Sequence, residues 1–221
     1  MNTTMVFKNR AQAGELLADC LLELKGSKGL VLAIPRGGLP LGAVIAKKLR
    51  WPLDVVLTKK IGHPFNKEYA IGAVSLKSRV LSEAAAEVEQ SYIEEETKRL
   101  RVVLEKRDKE YHQHSKAEGM KNKRIILVDD GIATGNTMLA TVDLIHKEGA
   151  SEIIIATPVA ANSAIDRLER SPYVDRVICL SQPSYFQAVG QFYEDFDQVT
   201  DEEARSYLES VRNYTSGIPY S

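Results

Sequence analysis

Asp129 and Asp130 are adjacent carboxylates at the end of an apolar run, Arg124-Ile125-Ile126-Leu127-Val128, and Gly131-Ile132-Ala133-Thr134-Gly135-Asn136-Thr137 follows at once. Carboxylates accept hydrogen bonds from sugar hydroxyls, or can meet a metal-bound diphosphate. Gly131 and Gly135 allow a tight turn and close approach to a ligand, and Thr134 and Thr137 offer hydroxyls. A helix opening near Asn136 aims its unpaired amides and positive dipole end at the same space. Three or four hydrogen bonds of about 1.5–3 kcal/mol each hold a phosphate dianion without a lysine. These parts suit a sugar phosphate. The spacing is neither GxxxxGK[ST] nor GxGxxG, so a triphosphatase loop and a dinucleotide fold are set aside. An ordinary strand-to-helix turn accounts for the glycines. It does not account for two acids closing a buried strand, because successive strand residues face opposite ways.

Other groups fall where they could join this site. Pro35-Arg36-Gly37-Gly38 follows the run Gly29–Ile34. Gly37 and Gly38 open the backbone there, and Arg36 offers a planar, bidentate phosphate donor. Lys59 and Lys60 close the run from Leu53; alternation turns one of the two toward the site, and either can be that one. Ile61 to Glu68 reads as a loop carrying His63 and Glu68. Gln182 to Phe196 concentrates aromatic residues, including Phe186 and Tyr193, which can serve a small satellite core or stack a flat heterocycle. His63, His112, His114 and His146 show no metal-ligand spacing. Cys20 and Cys179 read as reduced, buried thiols.

The elements that would position these groups alternate. Lys8–Leu24 reads as a helix with Ala11, Leu16, Leu17, Cys20, Leu21 and Leu24 on one apolar face. Strands are expected at Gly29–Ile34, Leu53–Lys60, Arg124–Val128, Ile153–Val159 and Val174–Leu180. Helices are expected at Ala43–Leu49, Asn136–Lys147, Ser163–Arg170 and about Asp201–Val211, and Ala70–Leu76 with Arg79–Leu81 forms a hairpin. Ser82–Ala117 is charged and helical, with Ile93, Leu100, Val103 and Leu104 as a partial apolar stripe. Alternating apolar strands and amphipathic helices predict an α/β fold with a doubly wound parallel sheet, and ligands at the carboxyl ends of its strands. The 221 residues, 44% hydrophobic, form one domain: a core at about 27–180, a mobile loop and helical insertion at about 61–118, and a hood of about 181–221 with the N-terminal helix. A net charge of -1 argues against DNA as partner. With no membrane-length apolar run and a polar N-terminus, the expectation is a soluble, cytoplasmic protein.

The run Val128–Thr137 resembles the signature of type I phosphoribosyltransferases, which bind 5-phospho-α-D-ribosyl 1-diphosphate (PRPP) with it. The resemblance implies that Asp129 and Asp130 contact the ribose hydroxyls and that Ile132, Ala133, Thr134, Gly135, Asn136 and Thr137 cradle the 5′-phosphate. Pro35-Arg36-Gly37-Gly38 is similar to the family's diphosphate loop, with Lys60 or Lys59 as a second positive contact. The family's mobile loop after this strand implies a lid at 61–68 that shields the ribosyl centre from water. Runs Arg10–Gly14, Glu68–Val74 and Pro183–Glu203 resemble a subgroup of phosphoribosyltransferases whose acceptor is unassigned. The implied activity is Mg²⁺-dependent phosphoribosyl transfer to a nitrogen heterocycle with release of diphosphate, in a homodimer. Magnesium would be held mainly by diphosphate oxygens and water. A PRPP-sensing protein with little catalysis is the alternative, and a PRPP synthase-like subunit lacks an ATP loop here.

Overall fold

The computed structural model describes residues 5–113 and 116–216. The far end of the hood, 217–221, and His114 lie outside the described residues. Five parallel strands, β1 (Gly29–Ala33), β2 (Leu53–Val55), β6 (Arg124–Val128), β7 (Glu152–Val159) and β8 (Arg176–Ser181), form a sheet of order β2-β1-β6-β7-β8. Strand alternation divides the core in two. Val31, Ala33, Ile126, Val128, Ile154 and Ala156 pack on one face, with Leu17 of α1 (Arg10–Asp19), Ile45 of α2 (Gly38–Leu49) and Leu208 of α6 (Asp201–Ser216). Leu30, Leu32, Ile125, Leu127, Ile153 and Ile155 pack on the other, with Val142 of α4 (Asn136–Lys147) and Leu168 of α5 (Asn162–Glu169). β1 is buried along its whole length, as a strand covered on both faces must be. The doubly wound α/β architecture read from the alternation is the one observed.

Four local expectations are corrected. The Leu53–Lys60 strand is two: after Val55 the chain makes one more bond to β1, from the Val56 amide to the Ala33 carbonyl at 3.0 Å, and then leaves the parallel sheet. Lys59 and Lys60 open β3 (Lys59–His63), which belongs to a separate antiparallel sheet with β4 (Asn66–Val74) and β5 (Arg79–Leu81). The segment read as a loop at 61–68 is therefore mostly paired hairpin, with Pro64 and Phe65 as its turn. Glycine and proline suggested a loop, but here they serve an irregular register near Gly62 and a tight turn. Ser82–Ala117 resolves into a 3₁₀ turn, Glu83–Glu87, and one long helix, α3 (Gln90–Tyr111). Its buried stripe includes Ile93, Leu100 and Leu104, whereas Val103 is exposed. Finally, α1 stops at Asp19 and buries Ala13, Gly14, Leu17 and Ala18; Ala11, Leu16 and Cys20 face out. The shift follows from Gly14, which lets α1 press against the backbone of Leu41 in α2. Cys20 and Cys179 are free thiols, the first exposed and the second half-buried.

The far end of α3 is clasped to the sheet edge. His112 Nε2 lies 2.7 Å from Asp54 Oδ1 in β2, and its Nδ1 lies 2.9 Å from Asp108 Oδ1. The Glu118 amide donates to Asp54 Oδ2 at 2.6 Å. Buried carboxylates need such partners. The Asp54 hydrogen bond pushes the His112 pKa above its usual value, against the opposing effect of burial. Among the described residues, no helix is long and apolar enough to cross a membrane.

Candidate active site

β1 and β6 are neighbours in register, with Ala33 beside Val128. Their carboxyl ends therefore deliver Pro35–Gly38 and Asp129–Thr137 to one place. The Pro35–Arg36 peptide bond is cis. Gly37 faces Asp130 so closely that a Cβ there would lie 2.0 Å from Asp130 Oδ2. A side chain at Gly37 would displace the carboxylate, so only glycine fits. Gly38 lies against the Val128 carbonyl, and Gly131 against Val189.

The loop after Asp130 is anchored at its start and open at its end. The Ile132 amide donates to the Val159 carbonyl at 2.9 Å, and the Ile132 carbonyl accepts from Ala161 at 3.0 Å, so Ile132 is stitched to β7 and buried. Ala133, Thr134, Asn136 and Thr137 are exposed. Gly135 adopts φ +76°, a left-handed conformation that turns the chain into α4. The first-turn amides of α4 face the same opening, where a helix start favours an anion. Arg167 of α5 donates to the Thr134 carbonyl at 3.0 Å and braces the loop from behind.

The two acids differ in setting. The Asp130 amide donates to Asp129 Oδ1 at 2.9 Å. Burial, and then the adjacent Asp130 carboxylate, push the Asp129 carboxyl well above the usual carboxylate range. Burial also raises Asp130, but the Arg10 hydrogen bond draws it down. Arg10 Nε donates to Asp130 Oδ2 at 2.8 Å, with both side chains largely buried. The pair thus holds a proton more readily than free carboxylates would, with the negative charge favoured on Asp130 beside its cation. The Tyr193 hydroxyl donates to the Asp130 carbonyl at 2.7 Å. Burial, then the nearby Asp130 charge, keeps that hydroxyl protonated.

Other sequence-named residues fall at varying distances from this centre. Arg36 is half-buried, with Nη1 3.5 Å from Asp201 Oδ1 at the start of α6. Lys59 and Lys60 are both exposed, and Lys60 Nζ meets Glu68 Oε2 at 2.7 Å across the hairpin. Lys60 and Glu68 thus form a pair with each other. Phe186 packs on Phe192 with ring centroids 5.1 Å apart. Tyr193 corrects an expectation: it is 6% exposed, lies between Phe7 and Phe196, and has no open face for a heterocycle. Arg10 and Arg167 are the groups that residue-by-residue reading missed. Arg10 lies within the Arg10–Gly14 run noted above; its partner is 120 positions away, and no local spacing marks it. Among the described residues, no group of three or more His, Cys, Asp or Glu side chains is disposed to hold a metal ion.

Comparison with known proteins shows the family. The model of the phosphoribosyl transferase domain matches residues 2–197. Rv0571c of Mycobacterium tuberculosis (strain H37Rv), a protein named as a phosphoribosyl transferase, is 33% identical over 208 residues, which is 92% of this chain and 46% of that protein. The chain thus spans about half the length of the curated relatives it matches. A ribose-phosphate pyrophosphokinase of Pyrococcus furiosus is 37% identical over 54 residues, 24% of this chain and 19% of that one. The crystal structure of TT1426 from Thermus thermophilus superposes with a TM-score of 0.82 at 39% identity, covering 93% of this chain and 99% of that one. With an acid pair closing the central strand, an open amide loop behind it and a family match over most of the chain, this protein belongs to the phosphoribosyl transferase domain family.

Proposed function

We propose that the protein binds PRPP with Mg²⁺ and transfers its 5-phosphoribosyl group to a nitrogen of a nucleobase-like heterocycle, releasing diphosphate. The observation that carries this reading is the junction of β6 and α4. There a largely buried acid pair adjoins an exposed loop of amides and hydroxyls at a helix start. The Thr134–Thr137 loop takes the 5′-phosphate, and Asp129 and Asp130 take the ribose hydroxyls. Each carboxylate accepts a hydrogen bond from one ribose hydroxyl. The Asp130 charge also favours positive charge developing on the ribosyl ring as diphosphate departs.

Diphosphate lies toward Arg36 and the Gly37 backbone, with Lys60 or Lys59 reaching in from the hairpin. The solvent-accessible pairs Arg36–Asp201 and Lys60–Glu68 do not preclude this. Such pairs contribute roughly 0–1 kcal/mol, so diphosphate can replace the carboxylates. Magnesium enters with PRPP as part of the substrate, since Mg²⁺ keeps waters and phosphate oxygens and needs few protein ligands. The β3–β4 hairpin closes over the ribosyl centre, and Phe186 lies on the acceptor side. A homodimer is part of the proposal, because α3 leaves Val102 65% and Val103 38% exposed. Light scattering at the monomer mass of 24.5 kDa would refute the dimer.

Incubation with PRPP, Mg²⁺ and a panel of purines, pyrimidines and other heterocycles, followed by diphosphate release, tests the reaction. Release with one acceptor class supports transfer. Tight PRPP binding without release for any acceptor makes the protein a sensor. Asp130→Asn should weaken PRPP binding, and unchanged affinity removes the ribose assignment.

A further inference from the structure

Arg10 is far from the phosphate loop in sequence, yet it makes the sole side-chain ion pair to the acid pair among the described residues. Its guanidinium is committed on several sides. Nε donates to Asp130 Oδ2 at 2.8 Å, and Nη1 donates to the Asp197 carbonyl at 2.7 Å. The Phe196 ring lies beneath it, with Cζ 3.8 Å from the ring centroid. A guanidinium that stacks and forks in this way has little freedom to move. Its base is equally fixed. Asn9 caps α1 by accepting from the Gln12 amide, and the backbone at Phe7 pairs with Phe192 and Glu194.

Asp130 is therefore gripped from the hood. Arg10 holds its carboxylate, Tyr193 holds its carbonyl, and Gly37 leaves the space the carboxylate occupies. Asp130 retains acceptor capacity, since an ionised carboxylate presents about four lone-pair sites. We propose that Arg10 is a positioning residue that fixes the Asp130 carboxylate for ribose recognition and couples that acid to the hood. This inference rests on the phosphoribosyl-transfer reading for its consequence, but not for the Arg10–Asp130 linkage itself.

Two features make the linkage testable. A lone buried acid without its cation loses its charge more readily, so the effect of removing Arg10 must depend on pH. Arg10 also lines a cleft of ≈ 270 Å³, together with Pro40, Asp197, Glu203 and Tyr207. A small cation added in solution can reach the vacated place from that side.

The experiment compares the wild type with Arg10→Ala and Arg10→Lys. The Asp130 carboxyl is titrated by ¹³C NMR in the free protein, and PRPP affinity with Mg²⁺ is measured by calorimetry from about pH 6 to about pH 8.5. In Arg10→Ala, Asp130 should titrate at higher pH, and PRPP affinity should fall on the order of tenfold at the acid end with recovery at the alkaline end. Millimolar methylguanidinium should restore affinity to Arg10→Ala, and Arg10→Lys should lie between the two. An unmoved Asp130 titration overturns the proposal. So does a loss that is equal at every pH and indifferent to methylguanidinium. If the wild type itself binds no PRPP, the phosphoribosyl reading falls, while the carboxyl titration still decides whether Arg10 holds Asp130.

Discussion

At the residue scale, the site sets space and charge against stability. Gly37→Ala would bring a methyl to 2.0 Å from Asp130 Oδ2, so the carboxylate or the loop must shift. The expected cost is about 1–3 kcal/mol of stability from overpacking, with a larger proportional loss of PRPP affinity. Chemical denaturation and calorimetry on the same variant separate the two effects. Asp129 carries the opposite kind of tension. Its folded pKa lies above the unfolded one, so the native state disfavours the charge that the unfolded chain carries at neutral pH. Asp129→Asn should therefore stabilise the protein, on the order of 1 kcal/mol at neutral pH. As pH falls through the raised pKa, the wild-type acid protonates and the advantage shrinks. Thermal melts at neutral and mildly acidic pH should show that convergence, while PRPP affinity is reduced throughout.

At the element scale, the clasp at the end of α3 predicts a second pH dependence. His112 has a raised folded pKa, chiefly through Asp54. Its stabilising contribution is complete below the unfolded value of about 6.5 and is lost as pH rises through the folded value. The difference in stability between wild type and His112→Ala should shrink from mildly acidic to alkaline pH. A pH-independent difference in denaturation midpoints would assign His112 to packing alone. Element boundaries also show where sequence reading worked. Buried strands such as Gly29–Ala33 and Arg124–Val128 were legible because both faces are covered and the run is almost uniformly apolar. The hairpin at 59–74 was not, because its outer residues are charged and exposed and its turn uses Pro64. Only its pairing across that turn reveals such a strand.

At the scale of the whole molecule, the segment before α1 and the segment after β8 meet beside the acid pair. Phe7 is fully buried, its amide donates to the Phe192 carbonyl at 2.8 Å, and its ring packs against Tyr193. Phe7→Ala should cost about 3–5 kcal/mol by leaving a cavity. It should also weaken PRPP binding, because Tyr193 and Arg10 would no longer be held against Asp130. Loss of stability with full PRPP affinity, measured below the melting temperature, would show the hood to be structural only. By itself, the sequence determined the alternating fold and the acid-and-glycine loop, because strand period, helix period and a helix-start anion site are local properties of contiguous residues. Tertiary structure alone decided that Lys60 pairs with Glu68, that Tyr193 is walled in, and that Arg10 is the counter-ion of Asp130. Those partnerships join segments with no shared period, and whether a charge is paired or a ring has a free face depends on what the rest of the chain places beside it.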